Sequence, residues 1–186
     1  MRLFTAIELT DAVRTVIAAE QKRAVEALGR TRGQLRLVKP EQMHLTLVFI
    51  GEVSEARAAA IADLMTGDIP VQPFRIGFGG LGAFPARGAP RVLYLDVMTG
   101  MSTAIDLHDK VSDRLARAGV GRDERPFHPH LTLGRWRESR PSDRPGVSAR
   151  TEIAAVEVDR VALFQSRLSS SGSAYTRLAS SLLVSP

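Results

Sequence analysis

The tetrapeptide His-Leu-Thr-Leu occurs twice in these 186 residues, at His44–Leu47 and at His130–Leu133, 86 positions apart. In a β-strand, residues i and i+2 point to the same face. His44 and Thr46 therefore project together, while Leu45 and Leu47 turn into a core behind them. His130 and Thr132 repeat the pattern in front of Leu131 and Leu133. Two imidazoles make an acid/base pair near neutral pH, one accepting a proton as the other gives one. Two hydroxyls add donors for a developing oxyanion. In-line displacement at phosphorus wants this set: water is deprotonated on one side, a leaving oxygen is protonated on the other, and the non-bridging oxygens are held between. One His-x-Thr alone reads as a polar spot on a wet sheet face. Two identical copies point to a shared site.

The surrounding elements must bring these strands together. Leu3, Thr5, Ile7 and Leu9 alternate as in a mostly buried strand. Thr10 or Asp11 caps a helix running to Gly29, with Val13, Val16, Ile17, Ala24 and Leu28 as its apolar stripe. Short strands are predicted over Leu35–Val38 and Met43–Ile50. Ser54 caps a second helix ending near Gly67, with Ile61, Leu64 and Met65 inward. Strands follow at Phe74–Phe78 and Arg91–Val97, then a helix over Met101–Ala118, the second motif strand from Phe127 to Leu133, and two late strands, Ile153–Gln165 and Tyr175–Val184. Arg135–Arg150 reads as a mobile basic loop. Several strands are joined by short connections, which demand antiparallel pairing. The expected fold is α+β, with two antiparallel sheets and helices packed outside, rather than a doubly wound parallel sheet.

Apolar residues make up 44% and charged residues 24%, which suits one globular domain, or two small lobes sharing a core, over residues 1–186. The chain has no cysteine, so disulfides and thiolate metal sites are excluded. The first residues alternate like a strand and lack a signal peptide's apolar core, and no run reaches membrane-spanning length. A soluble, cytoplasmic monomer is expected. The net charge is +5, carried almost wholly by arginine, since Lys22, Lys39 and Lys110 are the lysines. Arginine suits bidentate phosphate recognition, although codon usage alone also enriches it.

Two segments carry a specific resemblance. Pro40-Glu41-Gln42-Met43-His44-Leu45-Thr46-Leu47-Val48-Phe49-Ile50-Gly51-Glu52 resembles the first signature of the two-histidine phosphoesterases, and Arg125-Pro126-Phe127-His128-Pro129-His130-Leu131-Thr132-Leu133-Gly134-Arg135 resembles the second. More narrowly they are similar to the bacterial RNA 2′,3′-cyclic phosphodiesterases, once called 2′-5′ RNA ligases. Arg2–Ile7, Gly80–Pro85, Pro90–Tyr94 and Leu163–Leu168 with Gly172 and Tyr175 extend the match to nearly full length. The resemblance implies a bilobal, pseudo-two-fold fold with the motifs facing each other across a cleft. It implies metal-independent opening of a 2′,3′-cyclic phosphate at an RNA end, leaving a 2′-phosphate, with no cofactor and with 2′-5′ ligation as a side activity. His44 would be the proton donor, His130 the proton acceptor, and Thr46, Thr132 and Arg135 the phosphate-binding residues. RNA bearing such an end, tRNA fragments included, would be the partner. His128 stands where the family commonly has arginine, and Leu37 where it commonly has an aromatic. Plain alternation puts Arg135 on the core side, so a twist or bulge is required there, which Gly134 permits.

Other features weigh less. His128 reads as a polar residue at a sheet edge, and His108 as a half-buried structural histidine of the third helix. Gly77-Phe78-Gly79-Gly80-Leu81-Gly82 matches G-x-G-x-x-G, but Pro85, Gly88 and Pro90 forbid the helix that a dinucleotide site needs; these glycines are expected to be strand bends or bulges. Ser169–Ser173 is expected to be a hairpin turn. Arg137, Arg140, Arg144 and Arg150 form a solvated loop or an RNA clamp. Trp136 and Phe49 are candidates to stack on a base, but alternation puts Phe49 with the core leucines. Rival readings keep the site with another cyclic or 2′-5′-linked nucleotide, treat the protein as an RNA-binding module without turnover, or make it a two-histidine metalloprotein.

Overall fold

The computed structural model describes residues 1–29, 34–146, 150–169 and 172–186. Its elements run β1 (Arg2–Glu8), α1 (Asp11–Leu28), β2 (Leu35–Leu37), β3 (His44–Glu52), α2 (Glu55–Leu64), β4 (Ile69–Pro70), β5 (Phe74–Phe84), β6 (Val92–Thr99), α3 (Met101–Ala116), β7 (His130–Trp136), β8 (Glu152–Val158), β9 (Arg160–Ser169) and β10 (Gly172–Val184). They build two five-stranded sheets, in the orders β3-β1-β9-β10-β4 and β2-β7-β6-β5-β8. Pairing is antiparallel throughout the described ladders except for the short β10–β4 pair, which is parallel. The α+β expectation of two sheets with helices packed outside, facing each other across a cleft, holds.

A pseudo-two-fold is visible in the connections. β1, α1 and β3 form a strand, a helix and an antiparallel motif strand beside the first, and β6, α3 and β7 do the same in the other sheet. The helices then cross-brace the halves: α1 packs on β8 of the second sheet and α3 on β3 of the first. One continuous core results, in which Leu45 and Leu47 join Leu131 and Leu133.

The helix boundaries follow their caps. Thr10 Oγ1 accepts from the Val13 N–H at 3.3 Å, and Ser54 Oγ accepts from the Arg57 N–H at 3.3 Å. Gly29 ends α1 with φ of 54° and Gly119 closes the chain after α3 with φ of 73°, values that favour glycine. The buried stripe of α1 is Ile17, Gln21, Ala24 and Leu28. Val16, expected inward, is 42% exposed, and polar Gln21 takes the inward position one turn before Ala24 and two before Leu28.

The expected single strand Ile153–Gln165 is two strands in different sheets. β8 ends at Val158, the chain crosses at Asp159, and β9 begins at Arg160. The motif strand expected from Phe127 begins only at His130, because Pro126 and Pro129 cannot donate to a ladder. The glycine run is strand β5, with ladder irregularities at Gly77/Phe78 and Gly79/Leu81 and Gly80 at φ of 65°, so these glycines are bulges as expected. β9 and β10 form a hairpin whose register brings Gly172 opposite Ser169; residues 170 and 171 of the serine run lie outside the described residues. The basic loop is tied down where described. Arg144 donates to the carbonyls of Ala83 at 3.2 Å, Pro85 at 2.6 Å and Gly88 at 3.0 Å. Arg150 donates to Asp96 at 3.1 Å. Residues 147–149 of that loop lie outside the described residues.

Candidate active site

Both motif histidines are held by one local device. The Nδ1 of His44 lies 2.7 Å from the Gln42 carbonyl, and the Nδ1 of His130 lies 2.7 Å from the His128 carbonyl. A carbonyl oxygen only accepts, so each Nδ1 carries the proton and each neutral ring keeps its lone pair on Nε2. His44 Nε2 lies 3.0 Å from the Thr46 hydroxyl. Aromatic rings fix the imidazole planes. Phe4 stacks on His44 at 4.8 Å and Tyr175 meets it edge-on at 5.3 Å. Phe84 and Tyr94 meet His130 edge-on at 5.0 and 5.4 Å. Tyr94 can lie there because position 82 is glycine: a Cβ on Gly82 would sit 2.4 Å from the tyrosine ring.

Each tetrapeptide ends in a β-bulge, and the bulge shapes the site. In the β1–β3 ladder Ala6 pairs with Thr46 and Thr5 with Val48, leaving Leu47 as the extra residue. In the β6–β7 ladder Tyr94 pairs with Thr132 and Leu93 with Gly134, leaving Leu133 as the extra residue. A bulge shifts the alternation by one. Past it, Arg135 is exposed on the face of His130 and Thr132, while Trp136 turns into the core at 6% exposure. This is the bulge that Arg135 required, although it falls at Leu133 rather than at Gly134. Trp136 is thereby removed as a base-stacking candidate. In the first half the same shift turns Phe49 outward at 56% exposure, against the expectation that it joins the core leucines. Val48 and Ile50 take the core side instead.

Two buried polar side chains sustain these bulges, and sequence reading missed both. The fully buried Thr5 hydroxyl accepts from the Val48 N–H at 3.1 Å. The Gln21 amide donates to the Leu133 carbonyl at 2.7 Å and to the Val38 carbonyl at 2.8 Å. Phe4, Tyr175, Phe84 and Tyr94 also went unassigned as imidazole neighbours. Strand pairing is what reveals the roles of Phe4 and Tyr94, because Glu8 pairs with His44, Phe4 lies further along that strand, and Tyr94 pairs with Thr132.

The electrostatics favour neutral rings. Burial pushes His44 down to about 4, and the Arg14 and Arg135 cations act in the same direction against the Gln42 carbonyl. Burial also lowers His130, helped by His128 and Arg135 and opposed by the His128 carbonyl and Asp96. The field of Arg135 thus reaches both rings. Nearby, His128 stands 3.9 Å from Asp96 and is half-exposed; it lies ahead of β7, which is an inner strand, and not at the sheet edge where it was expected. His108 stacks on Phe127 at 4.1 Å, a structural role. Among the described residues no group of three or more His, Asp or Glu is arranged to hold a metal ion.

The assembled groups can trap an anion beside Arg135 and two hydroxyls, take a proton at one Nε2 and deliver one from the other. Comparisons with known proteins show the family. The family model described as 2′-5′ RNA ligase superfamily matches residues 13–169. An RNA 2′,3′-cyclic phosphodiesterase of Archaeoglobus fulgidus is 35% identical over 181 residues, 96% of this chain and 98% of its own. One of Bacillus subtilis is 31% identical over 141 residues, 72% of this chain and 73% of its own. The crystal structure of E. coli LigT complexed with 3′-AMP aligns at a TM-score of 0.77 with 27% identity, over 98% of both chains.

Proposed function

We propose that this chain, which belongs to the 2′-5′ RNA ligase superfamily, hydrolyses 2′,3′-cyclic phosphate ends of RNA to 2′-phosphates by two-histidine acid/base catalysis without a metal. The observation that carries the reading is the matched pair of imidazoles. Each is anchored through Nδ1 to the carbonyl two residues back, each is followed by a threonine on the same face, and both feel the charge of Arg135.

The cyclic phosphate monoanion docks between the threonine hydroxyls and the Arg135 guanidinium. His130 Nε2 removes a proton from water as its oxygen attacks phosphorus. The P–O3′ bond breaks in line, and the departing O3′ takes its proton from His44 Nε2. His44 must be protonated at that moment although burial keeps it neutral in the free protein. The bound anion supplies the compensation, since a negative charge beside a ring raises its pKa. Thr46 and Thr132 hold the non-bridging oxygens as charge accumulates there. With a 5′-hydroxyl of a second strand in place of water, the same displacement deprotonates that hydroxyl at His130, expels O3′ with a proton from His44, and joins the ends through a 2′-5′ linkage.

The test is turnover of a dinucleotide ending in 2′,3′-cyclic phosphate. His44→Ala and His130→Ala are each expected to lose at least about a hundredfold in kcat, the scale of general acid/base catalysis. Near-wild-type turnover by either variant refutes the assignment.

A further inference from the structure

Each motif histidine faces a carboxylate across its ladder. Directly paired residues share a face of the sheet; His130 pairs with Asp96 on β6 and His44 with Glu8 on β1. Each carboxylate is held by an arginine from elsewhere in the chain, Asp96 by Arg150 at 3.1 Å and Glu8 by Arg177 at 3.1 Å. The likeness ends there. Glu8 is the last residue of its strand, and its side chain is 32% exposed. Asp96 lies inside β6, and its side chain is 15% exposed. A charge held out of water is screened less. The charges that act on the His44 ring are the cations Arg14 and Arg135. Around His130 an anion joins in: Asp96 opposes His128 and Arg135.

Asp96 is not bonded to the ring it faces. Its Oδ1 accepts from the Val97 N–H at 3.1 Å and its Oδ2 accepts from Arg150. The Nδ1 of His130 is taken by the His128 carbonyl. The carboxylate therefore acts on His130 through its charge and leaves Nε2 uncapped for a proton. The titratable and charged neighbours of His130 are His128 and Arg135 on β7, Tyr94 and Asp96 on β6, Arg150 behind Asp96, and Arg36 opposite Arg135 on β2. Burial raises the Tyr94 phenol, so it adds no charge. Among these described residues Asp96 is the one carboxylate. We propose that Asp96 is the positioning residue that makes His130, rather than His44, the base of the pair. This rests on the phosphodiesterase reading and explains how the two roles are assigned within it.

The direction follows from the charge balance of the step. Water gives its proton to His130 Nε2, its oxygen bonds to phosphorus, the P–O3′ bond breaks, and O3′ takes a proton from His44 Nε2. His130 gains a positive charge as His44 loses one. A carboxylate on the flank of His130 stabilises the imidazolium as it forms. The cations beside His44 favour its discharge. Exchanged roles would build a cation where Arg14 and Arg135 repel it and discharge one beside Asp96, and both changes cost energy. The repeated tetrapeptide leaves the direction open, and Asp96 decides it.

Proton NMR titration of the histidines in the free protein reads the coupling without substrate. Asp96→Asn is expected to lower the His130 midpoint by about one pH unit, the low end for an opposite charge at roughly 4–6 Å, because Arg150 cancels part of it. Arg150→Gln removes that cancellation and should raise the midpoint. Glu8→Gln should leave the His44 midpoint in place. A merely structural role does not produce opposite shifts from the two partners of one ion pair. At pH 8 Asp96→Asn is expected to lose roughly three- to tenfold in kcat/KM on adenosine 2′,3′-cyclic phosphate, the Brønsted cost of a base weaker by about one unit, with the alkaline fall of the profile moved to lower pH. A His130 midpoint unmoved in Asp96→Asn or moved the same way in both variants, or a His44 midpoint that moves in Glu8→Gln, overturns the proposal. If Asp96→Asn does not fold, Arg150→Gln decides alone: a raised midpoint supports the coupling and its absence overturns it. Shifted midpoints with an unchanged rate overturn the role of Asp96 while leaving the phosphodiesterase reading intact. Wild-type protein that leaves the compound unopened overturns the phosphodiesterase reading itself.

Discussion

His44 and His130 are each one imidazole in a hydrophobic setting, and that setting decides how activity follows pH. For an acid/base pair, kcat/KM reports the groups of the free protein. One ring must be protonated while the other is neutral. With His44 held at about 4 and His130 held below its ordinary 6.5, the product of the two fractions peaks between the two lowered values, on the acid side of 6.5. Initial rates at low substrate are therefore expected to fall as pH rises from about 6 to about 8. Bound anion raises both pKa values, so the kcat profile should lie at higher pH than the kcat/KM profile. A kcat/KM that is flat or rising over that range contradicts the assignment. Stability has its own sign. The folded pKa of His44 lies below the unfolded value, so the unfolded chain binds more protons between the two, and stability is lost as pH falls from 6.5 toward 4. These residues were legible in the sequence because a repeated His-x-Thr advertises itself. The aromatic rings that set the imidazole planes were not, since Phe4 and Tyr175 act from other strands and only pairing brings them near.

Two bulges, at Leu47 and Leu133, do at the scale of elements what the motif alone cannot. They reverse the alternation so that position 49 and position 135 face the cleft. Each is served by a buried polar group, the Thr5 hydroxyl or the Gln21 amide. Thr5→Val keeps shape and leaves the Val48 N–H without that acceptor; Gln21→Leu removes the donor to the Leu133 and Val38 carbonyls. Each is expected to destabilise by about 1–3 kcal/mol, the cost of an orphaned buried polar group, read as a lowered midpoint in chemical denaturation. A midpoint unchanged in both would show that the bulges do not need these bonds. The sequence marked only half of this. The need for a bulge before Arg135 was derivable, because plain alternation aimed the arginine into the core. The matching bulge before Phe49 was hidden, because a phenyl on the core side raised no conflict.

Across the whole molecule the chain visits the first sheet, builds most of the second, and returns. The return at Asp159 carries no glycine or proline, which is why one strand was expected there. A parity signal does exist: Val156 and Val158 are buried on even positions, Val161 and Leu163 on odd ones. An alternation that changes phase marks a crossing as surely as a turn residue does. The arginines show the same limit. Composition left an RNA partner and plain codon usage both open, and Arg144 and Arg150 are bonded to carbonyls and to Asp96, while Arg135 stands out through position rather than charge count. The architecture itself was within reach, since two identical strands placed half a chain apart ask for a fold that sets them face to face.

The most direct measurement incubates the protein with an oligoribonucleotide ending in a 2′,3′-cyclic phosphate, in excess EDTA, and determines by phosphorus NMR which hydroxyl keeps the phosphate. Conversion to a single 2′-phosphate product at an undiminished rate is the predicted result. No conversion, conversion that needs an added divalent metal, or a mixture of 2′- and 3′-phosphates would contradict a site in which His44 and His130 alone move the protons around one oriented phosphorus.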